Sequence, residues 1–349
     1  MNMYAAQTVP DLMRALVYDS GSPGKMAWQG SMKVPQPGKH QVLVKVDSAS
    51  LNPADFRATE SRTAFLAGKG HIVGRDMAGT IVAIGRDVRG FAVGDKVFGL
   101  APGVANYTLA EINRITNVPQ GANVQDYGIV GLAGTVANQI LTKHWFDRPD
   151  YTVRNMLVIG ASGGVGSSLV QIARAAGGPE LTIYGVTSGK NMAYVKEIGA
   201  SQAIDYTTPN FDLGRVLPIH SVDLIVDVVS GVAEGPTYVD RGMPLLKQSG
   251  RYVALNSTSS FDWFRAYLTD KCGCNMQRSK YDLFISNQSR PGRDLQAIAG
   301  LIQQGEFRLA VSQELPLAET PIRRALHTLK QRHVRGKVKI VPEQYSQSV

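Results

Sequence analysis

Cysteine is scarce, with two in 349 residues, Cys272 and Cys274, one glycine apart. That spacing is too tight for an ordinary disulfide framework, and a lone pair of thiols cannot complete a structural zinc site. A reduced, intracellular protein fits this usage. Long apolar runs are also missing, and none approaches the length of a membrane span. The opening MNMYAAQTVPDLMR lacks the basic and apolar segments of a secretory signal, and Ser346 to Val349 do not form the peroxisomal tripeptide. The cytoplasm is the expected compartment. Acidic residues are outnumbered, 28 against 37 lysines and arginines, for a formal net charge of +9. Such a balance raises nucleic acid, an anionic membrane surface or an anionic ligand as partners. The basic residues are dispersed, however. Their densest stretch, Arg323 to Lys339, runs beside Ile322, Leu326 and Leu329 on one face, as in a core helix with a solvated basic side. No nucleic-acid partner is expected.

Glycine is plentiful, and its densest cluster organises the chain. In NMLVIGASGGVGSSLVQIARAA, Asn155 to Ala176, the apolar run Met156 to Ile159 ends in Gly160, Gly163, Gly164 and Gly166. Val165, Leu169, Val170, Ile172 and Ala173 follow at helical spacing. The order is strand, tight turn, helix, in which glycines let the backbone approach a ligand and free N–H groups at the helix start favour a pyrophosphate. Aligning the last glycine of G-x-G-x-x-G on Gly166 puts Ala161 where the first should stand. Taken alone, the cluster also fits a tight connection with no ligand.

An NAD site places an acid about twenty residues further on, at the end of the second strand. Here the strand Leu181 to Val186 runs into Thr187, Ser188, Gly189 and Lys190. Hydroxyls and an ammonium accept a 2′-phosphate that a carboxylate would repel, which favours NADP. Read by itself, Lys190 is also an ordinary solvated lysine at a helix start.

Residues 1 to about 130 carry strand-like runs between glycine turns: 15–18, 41–49, 79–85 and 96–99. From about 130 to 288 strands alternate with helices, which predicts an α/β region with a doubly wound parallel sheet. There the expected elements are helices at 191–198 and 238–246 and strands at 203–206, 224–229 and 251–255. Beyond lie helices at 294–304 and 320–331 and a strand at 337–341.

Several ordered motifs carry a family resemblance: LNPADFR (51–57), IVGRDMAGTIVAIGRDV (72–88), FAVGDKVFG (91–99), LAGTVANQIL (132–141), the glycine turn, IGASQAIDY (198–206) and RGKVKIVP (335–342). With them the chain resembles the medium-chain dehydrogenase/reductase superfamily, in its zinc-independent quinone oxidoreductase branch. The resemblance implies a GroES-like β-barrel domain, 1–131, completed by 289–349, and an inserted Rossmann domain, 132–288, with the active site in the cleft between them. It also implies a homodimer built through the edge strands of two Rossmann sheets.

Zinc-dependent relatives in the superfamily have their first cysteine ligand at the position of Asn52 and their ligand histidine at Arg75, so no metal is expected. Without a Lewis acid, reduction is the easier direction, because hydride added to an enone or quinone gives a delocalised anion. The implied activity is hydride transfer from NADPH to a small electrophile, a quinone or an α,β-unsaturated carbonyl. Two alternatives stand beside it: an enoyl-thioester reductase, and a non-catalytic NADPH-binding regulator with a basic surface.

By matching positions, Ser162, Gly163, Gly164, Val165 and Gly166 line the pyrophosphate, while Ser188, Lys190 and Tyr206 take the 2′-phosphate. Asn52 and Thr135 lie near the nicotinamide as the catalytic pair. Val229, Ser230, Leu255 and Asn256 border its ribose and ring, Phe284 to Ser286 meet the carboxamide, and Lys337 is a cofactor-side contact. Each also has a plainer reading. Asn52 could form a turn before Pro53, Thr135 could cap a helix beginning at Val136, and Tyr206 could be an edge aromatic. Arg57, Arg75 and Asp76 could make a structural ion pair, Asp55 could hold a turn, and no dedicated proton donor stands out. Phe56 and Arg57 occupy a region where many quinone reductases of this type carry a tyrosine. Trp263, Phe264 and Tyr267, in a stretch without a family counterpart, read most simply as core packing.

Overall fold

The computed structural model describes residues 9–18, 26–55, 70–231, 238–257, 263, 266, 280–331 and 334–343. Both cysteines, Phe56, Arg57, Phe264 and Tyr267 lie outside the described residues. The chain divides into two compact units. One takes Met1–Thr135, Gln288–Gln303 and Leu309–Val349, the other Val136–Asn287 and Gln304–Arg308. Their edges differ by a few residues from the expected ones. Residues 132–135 stay with the first unit, where the Leu132 N–H bonds Asp76, and 304–308 join the second, where the Arg308 N–H bonds Gln171.

The first unit begins with β1 (Leu12–Tyr18) and β2 (Met26–Lys33), an antiparallel pair. Then come β3 (Gln41–Leu51), β4 (Asp76–Ile84), β5 (Lys96–Gly99), β6 (Tyr107–Glu111), β7 (Ile115–Asn117) and the start of α1 (Gly131–Leu141). The second unit runs through β8 (Asn155–Ile159), α2 (Gly164–Gly177), β9 (Thr182–Thr187), α3 (Met192–Glu197) and β10 (Gln202–Asp205). It continues with α4 (Leu213–Val216), β11 (Val222–Asp227), α5 (Val239–Gly242), β12 (Leu246–Ala254) and β13 (Tyr281–Leu283). Chain returning to the first unit adds α6 (Gly292–Gln303), β14 (Val311–Pro316), α7 (Glu319–Lys330) and β15 (Lys337–Val341).

In the first unit a seven-stranded sheet runs β14, β15, β3, β4, β5, β7, with β6 also on β3. Strand alternation divides the core. Val42, Val44 and Val46 enter one apolar cluster with Met77, Ile81, Val338 and the α7 residues Ile322, Ala325 and Leu329. Leu43, pointing the other way, joins Met13, Ala15, Val17 and Tyr107 in a second. β3 is therefore buried on both faces.

The second unit holds a six-stranded, all-parallel sheet in the order β10, β9, β8, β11, β12, β13. The order reverses at β8, the first strand, which is where open α/β sheets receive ligands at their carboxyl ends. All six residues of β11 are buried, as expected of a strand covered on both faces. The helix expected over 238–246 is only the four residues of α5. Pro244, in the short turn that follows, has no N–H to extend a helical ladder, and Leu246 already belongs to β12. Trp263 is not core packing either: it is 40% exposed, and its indole N–H donates to the Ser257 carbonyl.

Two glycines fix the junction of β8 and α2. Gly160 has φ +88°, and a Cβ there would meet Val228 and Val229. At Gly166 a Cβ would run into the Gly160 carbonyl, so β8 and α2 approach only without a side chain. Gly163 is different, because its Cβ would have nothing nearer than 3.6 Å. Gly166→Ala should thus lower stability by about 1–3 kcal/mol in urea unfolding, whereas Gly163→Ala, at the helix N-cap, should cost less, about 0.5–1 kcal/mol.

Candidate active site

In the first unit the chain leaves β3 through Asn52 and closes a single turn in which the Asn52 N–H donates to Asp55 Oδ2, 2.7 Å. Antiparallel pairing sets Ser50 opposite Asp76, and β15 brings Lys337 alongside. Asp76, fully buried, accepts hydrogen bonds from Ser50 Oγ (2.6 Å), Asn52 Nδ2 (2.9 Å), Lys337 Nζ (2.9 Å) and the Leu132 N–H of α1. Lys337, 4% exposed, also donates to Asn52 Oδ1. Burial alone would raise the Asp76 carboxyl, but the Lys337 ammonium and the Ser50 and Asn52 donors outweigh it and hold it below the usual range.

Asp55 sits three residues from Asn52 in a contrasting environment. Burial pushes its carboxyl up to about 7, against the Asn52 N–H and the Arg75 charge, with Asp76 adding repulsion. Its Oδ1 is 3.7 Å from Arg75 Nε, and neither atom has a hydrogen-bond partner among the described residues. Arg75 reaches Gln288 Oε1 through Nη1 (3.2 Å), and the Tyr18 hydroxyl donates to the Asp55 carbonyl. The possible ion pair among Arg57, Arg75 and Asp76 takes another form among the described residues: Asp76 pairs with Lys337, and Arg75 stands loosely against Asp55.

Thr135 is not a helix cap. α1 begins at Gly131, so Thr135 lies inside it, fully buried, its Oγ1 without a hydrogen-bond partner among the described residues. Asn52 is engaged by Asp76 and Lys337, and the Lys337 ammonium is held within this cluster.

In the second unit α2 starts at Gly164 with Gly163 in extended conformation before it. This fourteen-residue helix directs the N–H groups of Gly164, Val165 and Gly166 out of its first turn. Ser162 is joined to the turn after β9, because Asn191 Nδ2 contacts both Ser162 Oγ (3.3 Å) and Ser188 Oγ (3.2 Å). Lys190 is exposed, and Tyr206, 41% exposed, continues the β9–β10 ladder by donating to the Thr187 carbonyl.

After β11, Asp227 Oδ1 accepts the N–H groups of Val229 and Ser230, each at 2.9 Å, while its Oδ2 accepts the Tyr252 hydroxyl at 2.6 Å. Ser230 Oγ turns inward to accept from the Tyr238 N–H. Leu255 and Phe284 continue from β12 and β13 through hydrogen bonds to Asp227 and Ala254, and Asn256 is half-buried. The Phe284 ring is buried against His144, and Ser286 Oγ donates to Gln139 Oε1.

The sequence reading missed Asn191, Asp205 and Asp227 as organisers of this region. Asp227 carried a signal: an acid closing the apolar run Leu224 to Val226 in a buried strand has to receive hydrogen bonds there.

An all-parallel six-stranded sheet with a glycine turn at its first strand, attached to a separate β-rich unit, defines a nucleotide-binding oxidoreductase architecture. Residues 38–146 match the alcohol dehydrogenase GroES-like domain, and residues 198–340 match the zinc-binding dehydrogenase family. The chain belongs to the medium-chain dehydrogenase/reductase superfamily, in its quinone-oxidoreductase-like branch, and is an oxidoreductase. It is similar to a chloroplastic quinone oxidoreductase of Triphysaria versicolor, 28% identical over 88% of this chain and 92% of the relative. An NADPH-dependent alkenal/one oxidoreductase of Arabidopsis thaliana is 25% identical over 98% of this chain and 83% of its own. Among solved structures, the quinone oxidoreductase of Coxiella burnetii shares the fold, with TM-score 0.76 and 24% identity over 94% of this chain and 99% of that one.

Two outcomes follow from the buried carboxylates. Lys337→Met leaves Asp76 uncompensated and should cost about 3–5 kcal/mol in urea unfolding at neutral pH, with Asp76→Asn in the same chain recovering part of it. Asp55 holds its proton in the folded chain at pH values where the unfolded chain has lost it. Its contribution is therefore complete below about pH 4 and drains away as pH rises to 7. Asp55→Asn should accordingly gain about 2–3 kcal/mol relative to the wild type between about pH 5 and pH 7 in the same measurement.

Proposed function

We propose that this oxidoreductase uses NADPH to reduce a quinone or an α,β-unsaturated carbonyl without zinc. The observation that carries the reading is the tie, through Asn191, between the glycine turn and the turn presenting Ser188 and Lys190. Together they offer free helix N–H groups for a pyrophosphate and, beyond an acid-free end of β9, a hydroxyl and an ammonium for a 2′-phosphate. When bound, NADPH supplies hydride. The chain's part is to hold its phosphates at Ser162–Gly166 and Ser188–Lys190 and to orient the nicotinamide against the residues that follow β11 and β12. The residue types at the family's metal positions do not fit zinc, for Asn52 is hydrogen-bonded to an ammonium and Arg75 is itself cationic. An electrophile whose reduced form delocalises its negative charge needs no metal. Asn52 and Thr135 remain the proposed groups nearest the chemistry. A homodimer through an edge strand of the parallel sheet and a cytoplasmic setting belong to the same reading.

The test is loss of nicotinamide absorbance with purified, chelator-treated protein and a panel of quinones, enones and enoyl-thioesters. NADPH should be preferred, and Lys190→Ala should raise its KM about tenfold while changing that of NADH less than about twofold. Turnover that appears only when zinc is restored would refute the metal-free mechanism. Failure to bind either nucleotide would remove the cofactor assignment.

A further inference from the structure

An acid does reach the turn after β9, although not from β9 itself. The last residues of β9 and β10 are paired, Thr187 with Asp205, and the Tyr206 N–H extends the ladder to the Thr187 carbonyl. The two chain segments leaving the sheet therefore start side by side. Asp205 Oδ1 accepts from the Thr207 N–H at 2.8 Å and from Thr207 Oγ1 at 2.6 Å. Its Oδ2 stands 2.5 Å from where a Cβ of Gly189 would be. The absence of a side chain at residue 189 is what admits Asp205 to the turn.

This placement has two physical consequences for a phosphate. The carboxylate occupies space beside the turn between Ser188 and Lys190, where a 2′-phosphate would come. A fixed negative charge also stands beside the group that would bind there, and the Thr207 hydroxyl and N–H keep that charge in place by holding the carboxyl below its usual range. A 2′-phosphate is repelled by it, whereas a 2′-hydroxyl is not. We propose that Asp205 is a specificity-determining residue that opposes Lys190, narrowing the preference for NADPH over NADH. The inference rests on the proposed nucleotide site and concerns how that site discriminates.

The experiment is fluorescence titration of the full chain with NADPH and with NADH, at low and at high salt, for the wild type, Asp205→Asn and Asp205→Glu. Removing the charge should raise the ratio of Kd for NADH to Kd for NADPH about three- to tenfold at low salt and less at high salt. Asp205→Glu retains the charge and should leave the ratio within about twofold. Gly189→Ala, which forces the carboxylate away, should also raise it and carries the test if Asp205→Asn does not fold. A ratio that is unchanged or lower in Asp205→Asn, or that moves equally in Asp205→Glu, overturns the proposal, since the carboxylate would then only shape the turn. Wild-type protein that binds neither nucleotide overturns this inference and the nucleotide site together. Wild-type binding with an unmoved ratio overturns this inference alone.

Discussion

The first unit depends on one buried ion pair. Asp76 collects four donors from three separate segments: Ser50 and Asn52 at the end of β3, Leu132 at the start of α1, and Lys337 on β15. Taking a carboxylate and an ammonium out of water costs several kcal/mol each, and Coulomb attraction offsets this only when the remaining lone pairs and protons are also satisfied. Here they are, because Asn52 serves both charges at once, donating to Asp76 through its amide nitrogen and accepting from Lys337 through its oxygen. An asparagine is suited to that double duty, and a cysteine is not. The same neighbourhood keeps Asp55 without a comparable donor set, which is why two acids fully buried near each other are shifted in opposite directions.

In the second unit the governing constraint is steric. Gly166 lets α2 close onto the Gly160 carbonyl, and Gly189 lets a carboxylate from the neighbouring strand enter a turn. Both positions control what the carboxyl ends of the strands present. Asp227 completes the arrangement by fastening the residues after β11 to a tyrosine of β12.

Much of this was legible in the residues. The run Met156 to Ile159 with its glycines announced β8 and α2, and the apolar stretch around Leu224 announced β11, because periodicity and glycine placement are local signals. Expectations that depended on distant partners fared differently. Lys337 resembled a cofactor contact and proved to be buried on Asp76, 261 residues away in sequence. Asp205 gave no hint of its target, since nothing in IGASQAIDY tells that β10 lies beside β9 with Asp205 opposite Thr187. The plainer reading of Thr135, a helix cap, does not hold because α1 begins four residues earlier, on a glycine, where sequence gives little indication of a start. Short or polar strands such as β14 escaped notice for want of apolar alternation.

The placement of β15 also bears on the order in which the protein is made. β3 receives one of its neighbours, and Asp76 its counter-ion, only when Lys337 and its strand have left the ribosome. The second unit, apart from 304–308, is complete in chain by Asn287. Domains fold as units during synthesis, and contacts of long sequence separation form slowly. The β-rich unit, although it comes first in sequence, is thus the last to finish, and until then it carries an uncompensated buried-acid position and an open β3 edge. Chain released before residue 337 would contain a finished nucleotide-binding sheet attached to a half-built partner, the species on which cellular quality control would act.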